Sequence, residues 1–283
     1  MEIRDKVVII TGASGGIGQA TALAFSRSGA KVVLVARRAG ILQEISANMH
    51  NTLVLPADIS KEDECRRVID VAMSRFGRID ILINNAASII VSQSENTSRE
   101  DLLKAFMTNL LGPVTATQAV IPHMLKQGSG HIINIGSPGF MMGIPFYSPY
   151  VCSKAAFSAW TRTIQAEWKD SCIRVSEYFP GYIKTSSKPE SRLGDVEQDF
   201  LMNPKQNFIT RIFTKPKNAE AVARQLVALA KNPKILAYSD IPTRIGAFVS
   251  NISSFRLSIA SQMARTARIK KNLHMFNQIN QDQ

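Results

Sequence analysis

Clusters of cysteine or histidine and long apolar runs are the features that this chain lacks. Its 283 residues include three widely spaced cysteines and four scattered histidines, none at the spacing of metal ligands or of a disulfide framework. No run reaches the ~18 consecutive apolar residues of a membrane-spanning helix. The charged first residues lead directly into an apolar run, which leaves no room for an export signal. We therefore expect a reduced, cytoplasmic protein without a bound metal.

Acidic residues are scarce near the carboxyl end. The chain carries a net charge of +12, and from Arg244 onward six basic residues stand against Asp282 alone. Apolar residues recur there at helical intervals, so residues 241–283 are predicted to form a basic amphipathic helical extension. The extension packs on the protein's own core or on a second subunit, or it makes peripheral contact with an anionic membrane surface, and the sequence leaves these alternatives open. Aromatic residues are not interleaved with the basic ones, so no nucleic-acid partner is expected.

Strand and helix patterns alternate along the first 240 residues. Apolar runs rich in β-branched residues indicate strands that are buried on both faces, and amphipathic stretches between them indicate helices. This alternation predicts an α/β fold of the Rossmann type, with a doubly wound, seven-stranded parallel sheet and helices on both faces, in one domain over residues 1–240. The polar, proline-containing segment 182–217 is a candidate substrate loop or lid. The predicted strands are Lys6–Ile10, Lys31–Val35, Thr52–Leu55, Ile81–Ile83, His131–Ile135, Ile173–Tyr178 and Ile235–Tyr238, and the predicted helices are Ile17–Ser28, Gly40–Met49, Lys61–Phe76, Arg99–Lys126, Tyr150–Lys169 and Lys217–Lys231.

A glycine-rich turn follows the first predicted strand and opens the first predicted helix. In this context glycines allow backbone amides to approach a pyrophosphate, whose negative charge is stabilised by the N-terminus of the helix. The spacing is T-G-x-x-x-G-x-G, which differs from the G-x-G-x-x-G of many other dinucleotide folds. We predict a dinucleotide-phosphate site formed by Gly12, Ser14, Gly15, Gly16, Ile17 and Gly18.

No acidic residue ends the second predicted strand, where an NAD-binding protein places one against the ribose 2′-hydroxyl. Arg37 and Arg38 stand at this position instead. A guanidinium can pair with a 2′-phosphate through two parallel hydrogen bonds, so Arg37, with help from Arg38, points to NADP(H). The alternative is that both arginines are ordinary solvated side chains.

Further polar motifs follow in order along the chain. They are Asn84-Asn85-Ala86, then Asn109, Ser137, the Y-V-C-S-K run that contains Tyr150 and Lys154, and finally Pro180-Gly181. With the glycine-rich turn, this series resembles the short-chain dehydrogenase/reductase family over Lys6–Tyr238. One departure is Ala87, which adds a methyl group where the family usually has glycine.

The resemblance implies that residues 1–240 form a dinucleotide-binding catalytic domain. It also implies a set of further cofactor contacts. Some of these residues look like the part of the family site that receives the adenine and ribose, and others like the segment below the nicotinamide. The implied residues are Asp58 and Ile59 at the adenine, Asn85 and Ala86 beside the ribose, Pro180, Gly181, Ile183 and Thr185 at the nicotinamide, and Tyr150 with Lys154.

The expected chemistry agrees with these residue types. Reduction of a ketone places negative charge on its oxygen as hydride arrives, so the site needs a proton donor aimed at that oxygen. Tyr150 would be this donor, and the ammonium of Lys154 would lower its pKa from the usual value of about 10. Ser137, thirteen residues before Tyr150, would hold the carbonyl oxygen. Asn109 resembles the asparagine of the family's catalytic set, which would anchor a water that connects Lys154 with solvent.

We therefore expect an NADP(H)-dependent oxidoreductase that interconverts a ketone or aldehyde with an alcohol. The resemblance further implies a homodimer or homotetramer. Apolar residues before Tyr150, among them Phe140 and Met141, suit a lipophilic substrate, although they could equally be ordinary packing. The rival hypothesis is a non-catalytic NADP(H)-binding sensor or scaffold of the same fold, because binding residues alone do not require chemistry.

Overall fold

The strands define the architecture of the computed structural model, which describes residues 2–181, 183, 190–192, 218–241 and 243–245. Seven of its strands form one parallel sheet, and β5 and β8 form a separate short pair. In chain order the strands are β1 (Val7–Thr11), β2 (Lys31–Ala36), β3 (Thr52–Pro56), β4 (Ile81–Asn84), β5 (Ile90–Val91), β6 (Gly130–Ile135), β7 (Ile173–Phe179), β8 (Glu190–Ser191) and β9 (Leu236–Tyr238).

The order of the large sheet is β3-β2-β1-β4-β6-β7-β9. All neighbouring strands are parallel, so the carboxyl ends of all seven lie along one edge. The direction of winding reverses between β1 and β4, and α/β sheets of this kind bind ligands at such a switch point, outside the carboxyl ends of the strands.

Helices cover both faces of the sheet. Phe25, Leu42 and Leu226 bring α1, α2 and α8 into the core on one face, whereas Val68 and Val120 bring α3 and α5 into the core on the other face, together with α7. This arrangement confirms the predicted doubly wound fold. The helices are α1 (Gly16–Arg27), α2 (Ala39–Ser46), α3 (Glu62–Phe76), α4 (Arg99–Phe106), α5 (Gly112–Lys126), α6 (Gly139–Met142), α7 (Ser148–Glu167) and α8 (Ala219–Lys231).

The single helix predicted over Arg99–Lys126 is wrong in one respect. A π-helical turn at Met107–Leu111 separates α4 from α5, and Gly112 N–H bonds to the carbonyl of Met107, five residues back. Pro113 has no N–H to donate to the carbonyl of Asn109, four residues before it, so the ordinary α-helical ladder cannot continue there. Gly112 also has to be glycine, because a Cβ at this position would stand 2.4 Å from the carbonyl oxygen of Ile59.

The chain after Pro180 is tied back to the body of the protein at residues 190–192. Glu190 and Ser191 form β8, which pairs with β5. Arg192 forms ion pairs with both Asp101 and Glu190, and Glu190 also pairs with Lys104 of α4. This network holds residues 190–192, which lie within the predicted substrate loop 182–217, against α4 and β5.

Several sequence predictions fall on residues outside the described part of the chain. These include most of the candidate loop 182–217, Thr185 and the extension after residue 245, so the division into 1–240 and 241–283 stays a prediction. Residues 241 and 243–245 are helical. Within the described residues, every helix is too short or too polar to cross a membrane.

Candidate active site

Most of the predicted site residues directly follow strands of the parallel sheet. Because the carboxyl ends of these strands share one edge, the residues converge there although they are far apart in sequence. Gly12 follows β1, Arg37 and Arg38 follow β2, Asp58 lies beyond β3, Asn85 and Ala86 follow β4, Ser137 lies beyond β6, and Pro180 and Gly181 follow β7.

The glycine-rich turn has no room for side chains at two positions. Gly12 has a φ of 69°, and a Cβ there would lie 2.7 Å from Ala86 Cα. A Cβ on Gly18 would lie 2.2 Å from the carbonyl oxygen of Gly12, because α1 packs directly on the turn. Glycine therefore allows the turn to pass close to both α1 and the end of β4.

Thr11 and Asn85 join the two strands at the switch point. Thr11 Oγ1 accepts hydrogen bonds from the backbone N–H groups of Asn85 and Ala86, at 3.0 and 3.1 Å. Asn85 Nδ2 donates to the carbonyl of Thr11 at 2.9 Å. These bonds hold the segment after β4 against the glycine-rich turn. Thr11 is the first residue of the T-G-x-x-x-G-x-G pattern, but sequence analysis did not predict that it joins the two strands.

The N-terminus of α1 fits a dinucleotide pyrophosphate. The helix begins at Gly16 with neither a side-chain cap nor an acidic residue in its first turn. Free N–H groups at a helix N-terminus attract anions. Together with the narrow turn at Gly12, this end of α1 gives Gly15, Gly16 and Ile17 a suitable position to hold phosphates.

Two exposed arginines lie beside this turn. Arg38 donates hydrogen bonds to both the carbonyl and the hydroxyl oxygen of Ser14, at 2.9 and 3.0 Å. Arg37 lies close enough to Asp58 to help hold the pKa of that carboxyl below its usual value. Burial by itself would raise the pKa of Asp58. The hydrogen bonds that Asp58 accepts from Ser60, together with the nearby cations, outweigh burial and lower this pKa. The structure thus brings a cationic pair to the rim of the predicted adenine-ribose region, where Asp58 and the buried Ile59 also lie.

Tyr150 lies in the first turns of α7, and Ser137 lies after β6. Ser137 is buried, and its Oγ accepts a hydrogen bond from Gly139 N at 3.1 Å. Burial raises the pKa of Tyr150, and the nearby Ser137 hydroxyl opposes this rise. The lowered pKa expected for Tyr150 is therefore not found in the protein without bound cofactor.

Lys154 lies one helical turn beyond Tyr150 and is almost completely buried. Its Nζ donates a hydrogen bond to the carbonyl of Ile135 at 2.8 Å and stands 5.3 Å from the ring centroid of Phe157. Burial lowers the pKa of Lys154 to about 8, and the carboxylate of Glu177 opposes this shift. The ammonium is thus held at the carboxyl end of β6, at Ile135, which stands two residues before Ser137.

Asn109 is fully buried in the π-helical turn. Its Nδ2 donates to the carbonyl of Ser88 and to Ser153 Oγ, both at 2.9 Å, and its Oδ1 accepts from Ser88 N at 2.7 Å. Ser153 in turn donates to the carbonyl of Tyr150 at 2.9 Å. Asn109 therefore contacts α7 through Ser153, a residue that sequence analysis missed although it stands inside the Y-V-C-S-K run.

Two contacts hold the segment that follows β7. Gly181 N–H donates to Ser239 Oγ at 2.8 Å, beyond the end of β9. Ile183 packs against the core on the α1 side of the sheet. Of the predicted nicotinamide segment, Pro180, Gly181 and Ile183 thus lie at the same edge as the other site residues, and Thr185 lies outside the described residues. Sequence analysis also missed Ser239, for which no local pattern gave a signal.

Aromatic side chains form a small cluster at this edge. Phe179 is fully buried and stacks on Tyr238, with ring centroids 5.3 Å apart. Phe140, three residues after Ser137, packs on Phe179 at 6.4 Å. Met141 completes the cluster. The apolar cluster therefore lies at the carboxyl ends of β7 and β9, on the same edge of the sheet as Ser137.

Comparison of the sequence with known proteins finds one family and several related oxidoreductases. The sequence pattern of the short chain dehydrogenase family matches residues 6–195. An uncharacterised oxidoreductase from Bacillus subtilis is 32% identical over 240 residues, which cover 82% of this chain and 65% of that protein. The chain thus matches less than two thirds of the length of this relative. An 11-beta-hydroxysteroid dehydrogenase-like protein from Arabidopsis thaliana, 4A, is 37% identical over 202 residues, or 69% of this chain and 67% of that protein.

Among solved structures, the fold is similar to that of a short-chain dehydrogenase from Streptomyces avermitilis. The two superpose with a TM-score of 0.75 at 25% sequence identity, over 93% of this chain and 98% of the other.

Proposed function

Because the chain belongs to the short-chain dehydrogenase family of oxidoreductases, we propose that it is an NADP(H)-dependent enzyme that interconverts a ketone or aldehyde with an alcohol. The observation that carries the proposal is the meeting of Tyr150, Ser137 and Lys154 at the edge of the sheet where the glycine-rich turn lies. A proton donor, a hydroxyl beside it and a buried cation are the groups that carbonyl reduction requires.

Tyr150 is the proton donor in this proposal. Its raised pKa keeps the phenol protonated at neutral pH. As negative charge develops on the carbonyl oxygen, the phenol donates its proton to that oxygen. Bound NADPH supplies the hydride that is transferred to the carbonyl carbon.

Ser137 and Lys154 have supporting roles. The Ser137 hydroxyl orients the carbonyl oxygen and stabilises its developing charge by a hydrogen bond. Lys154 places a positive charge near the phenol once Tyr150 has lost its proton, and it is also positioned to bind ribose hydroxyls. Asn109 positions α7 through Ser153 and the carbonyl of Tyr150.

Arg37 and Arg38 support the choice of NADP(H). Both are exposed beside the glycine-rich turn, and Arg38 is already oriented by its bonds to Ser14. A 2′-phosphate at this rim would meet two guanidinium groups, whereas NADH offers them no matching charge.

A lipophilic carbonyl compound is the proposed substrate class. The cluster of Phe140, Met141, Phe179 and Tyr238 provides apolar side chains at the edge of the sheet where Ser137 lies. The Arabidopsis relative whose name refers to a hydroxysteroid is consistent with such a substrate.

We also propose that the protein assembles as a homodimer or homotetramer. Leu103, Met107 and Leu111 recur every four residues along α4 and the π-helical turn, with 53%, 39% and 45% of their surfaces exposed. A second copy of the chain could cover this apolar stripe. Light scattering of the purified protein gives the oligomeric state directly, and a monomer at micromolar concentration would reject this part of the proposal.

A carbonyl screen tests the proposed function. The purified protein is incubated with NADPH or NADH and with aliphatic, aromatic and steroid ketones and aldehydes, and loss of the reduced-nicotinamide absorbance is followed. We expect turnover with NADPH and an apolar carbonyl compound. Tight binding of NADPH without turnover of any compound would favour the non-catalytic sensor or scaffold instead.

A further inference from the structure

Glu177 is a buried acid that the proposed reaction does not use. It lies on β7, where its register neighbours are Asn134 on β6 and Leu236 on β9, and none of its surface is exposed. Its Oε1 would stand 2.9 Å from a Cβ placed on Gly136. Lys154 Nζ bonds to the carbonyl of Ile135, the residue before Gly136. The carboxyl of Glu177 and the ammonium of Lys154 therefore flank one peptide at the end of β6.

The carboxyl group is not part of an ordinary structural hydrogen-bond network. Among the described residues, neither of its oxygens has a hydrogen-bond partner of normal geometry, and the same holds for Ser158 Oγ on α7, which lies near enough to act on the carboxyl. An unpaired buried carboxyl group is costly, and a merely structural position would be filled at lower cost by an apolar side chain.

In the part of the chain that the structure describes, the charged groups that act on Glu177 come from α7. Lys154 and Arg162 flank Ser158 at four-residue intervals, and both act on the carboxyl. The neighbouring strands contribute Asn134 and Leu236, which do not titrate. Burial raises the pKa of Glu177 to about 7, and Ser158, Arg162 and Lys154 oppose this rise. Burial thus disfavours the charged form of both groups, and each charge partly opposes the effect of burial on the other.

We propose, on the basis of the function proposed above, that Glu177 is a positioning residue that maintains the positive charge of Lys154. When the carboxyl ionises, its negative charge stabilises the ammonium next to it and keeps Lys154 protonated to higher pH. Tyr150 then retains a cationic neighbour across a wider pH range. Glu177 does not touch the substrate, and its influence on the reaction runs through Lys154.

The pH profile of the reaction tests this role. Glu177→Gln keeps the shape of the side chain but removes its charge, so Lys154 should lose its proton at lower pH. We expect the alkaline fall in kcat/KM for NADPH-dependent reduction to move down by about half a pH unit or more. Ser176→Ala is the matched control, because Ser176 is buried on the same strand next to Glu177 and bonds to His131 instead. An alkaline limb that is unmoved in Glu177→Gln would overturn the proposal.

A second readout does not depend on catalysis. The pKa of Glu177 is raised in the folded protein, so its contribution to stability is largest at low pH and is lost as pH rises toward 7. Relative to the unmutated protein, Glu177→Gln should therefore gain in melting temperature between pH 5 and pH 8. In a Lys154→Met background the buried carboxylate has lost one of the two cations on α7 that act on it, and the gain at pH 8 should be larger.

The thermal measurement is made on the protein without cofactor, for both single variants and the double variant. An equal effect of Glu177→Gln in both backgrounds would mean that the two groups are uncoupled, and the proposal would be rejected. If no carbonyl compound is reduced at all, the proposed function fails, while the thermal cycle still reports whether Glu177 and Lys154 interact.

Discussion

Asn109 Nδ2 lies 2.9 Å from Ser153 Oγ and joins the π-helical turn to the helix that carries Tyr150 and Lys154. Pro113 directly follows this turn and has no N–H to donate to the carbonyl of Asn109. A helix irregularity and the candidate site are therefore connected by one hydrogen bond between two buried side chains.

Asn109→Ala should weaken both the fold and the reaction. The substitution leaves the buried N–H of Ser88 without its acceptor, which should lower the free energy of unfolding by about 2 kcal/mol. It should also lower kcat by about 10²-fold, because α7 loses its link to the turn. Urea unfolding and steady-state kinetics measure the two effects. A variant as stable as the unmutated protein would show that these hydrogen bonds contribute little.

Tyr150→Phe removes the proposed proton donor but keeps the aromatic ring. We expect kcat to fall by about 10²–10⁴-fold, as is usual for loss of a general acid. NADPH binding, followed by fluorescence, should change by no more than a few-fold, and this serves as the internal control for folding. Turnover within a few-fold of the unmutated protein would reject Tyr150 as the donor.

Arg37→Asp should change the preference between the two nicotinamide cofactors. The loss of charged hydrogen bonds should raise the Kd for NADPH by about 10- to 100-fold, while the Kd for NADH changes much less. Arg174→Asp is the control, because it makes the same charge change at an exposed residue near the amino end of β7, at the opposite edge of the sheet. Tighter binding of NADH than of NADPH by the unmutated protein would contradict the proposed preference.

Gly18→Ala tests the close packing of the glycine-rich turn. The added methyl would lie 2.2 Å from the carbonyl oxygen of Gly12, so the backbone must shift, at a cost of about 1–3 kcal/mol. We expect NADPH binding to weaken as well, because the shifted backbone carries the phosphate-binding amides.

Gly40→Ala is the matched substitution for that test. Gly40 lies in α2 with no atom within 4 Å of an added Cβ, so alanine should stabilise the protein by about 0.5 kcal/mol. Thermal unfolding of the two variants, measured side by side, shows whether each substitution raises or lowers the melting temperature. Equal effects at the two positions would mean that the turn has room to adjust.

Local sequence patterns predicted most of the fold for a physical reason. Strands such as Val7–Thr11 are buried on both faces, so they must be apolar throughout, and this character is visible without any neighbour. The same patterns could not predict the break at Met107–Leu111, because α- and π-helical turns place apolar residues at nearly the same spacing. They also gave no measure of how far the fold buries Tyr150, and burial raises the pKa of its phenol where a lowered value was expected.

The sequence by itself determined the parallel α/β sheet, the glycine-rich turn and the order of Asn109, Ser137, Tyr150 and Lys154 along the chain. These features depend on residue type and spacing, which act locally. Only the tertiary structure decided which polar groups share a buried environment. Glu177 stands within an ordinary apolar strand pattern, and its proximity to Lys154 follows from the pairing of β6 with β7 and from the packing of α7 on that face. Burial and charge act through space, so this relationship is set by the fold as a whole.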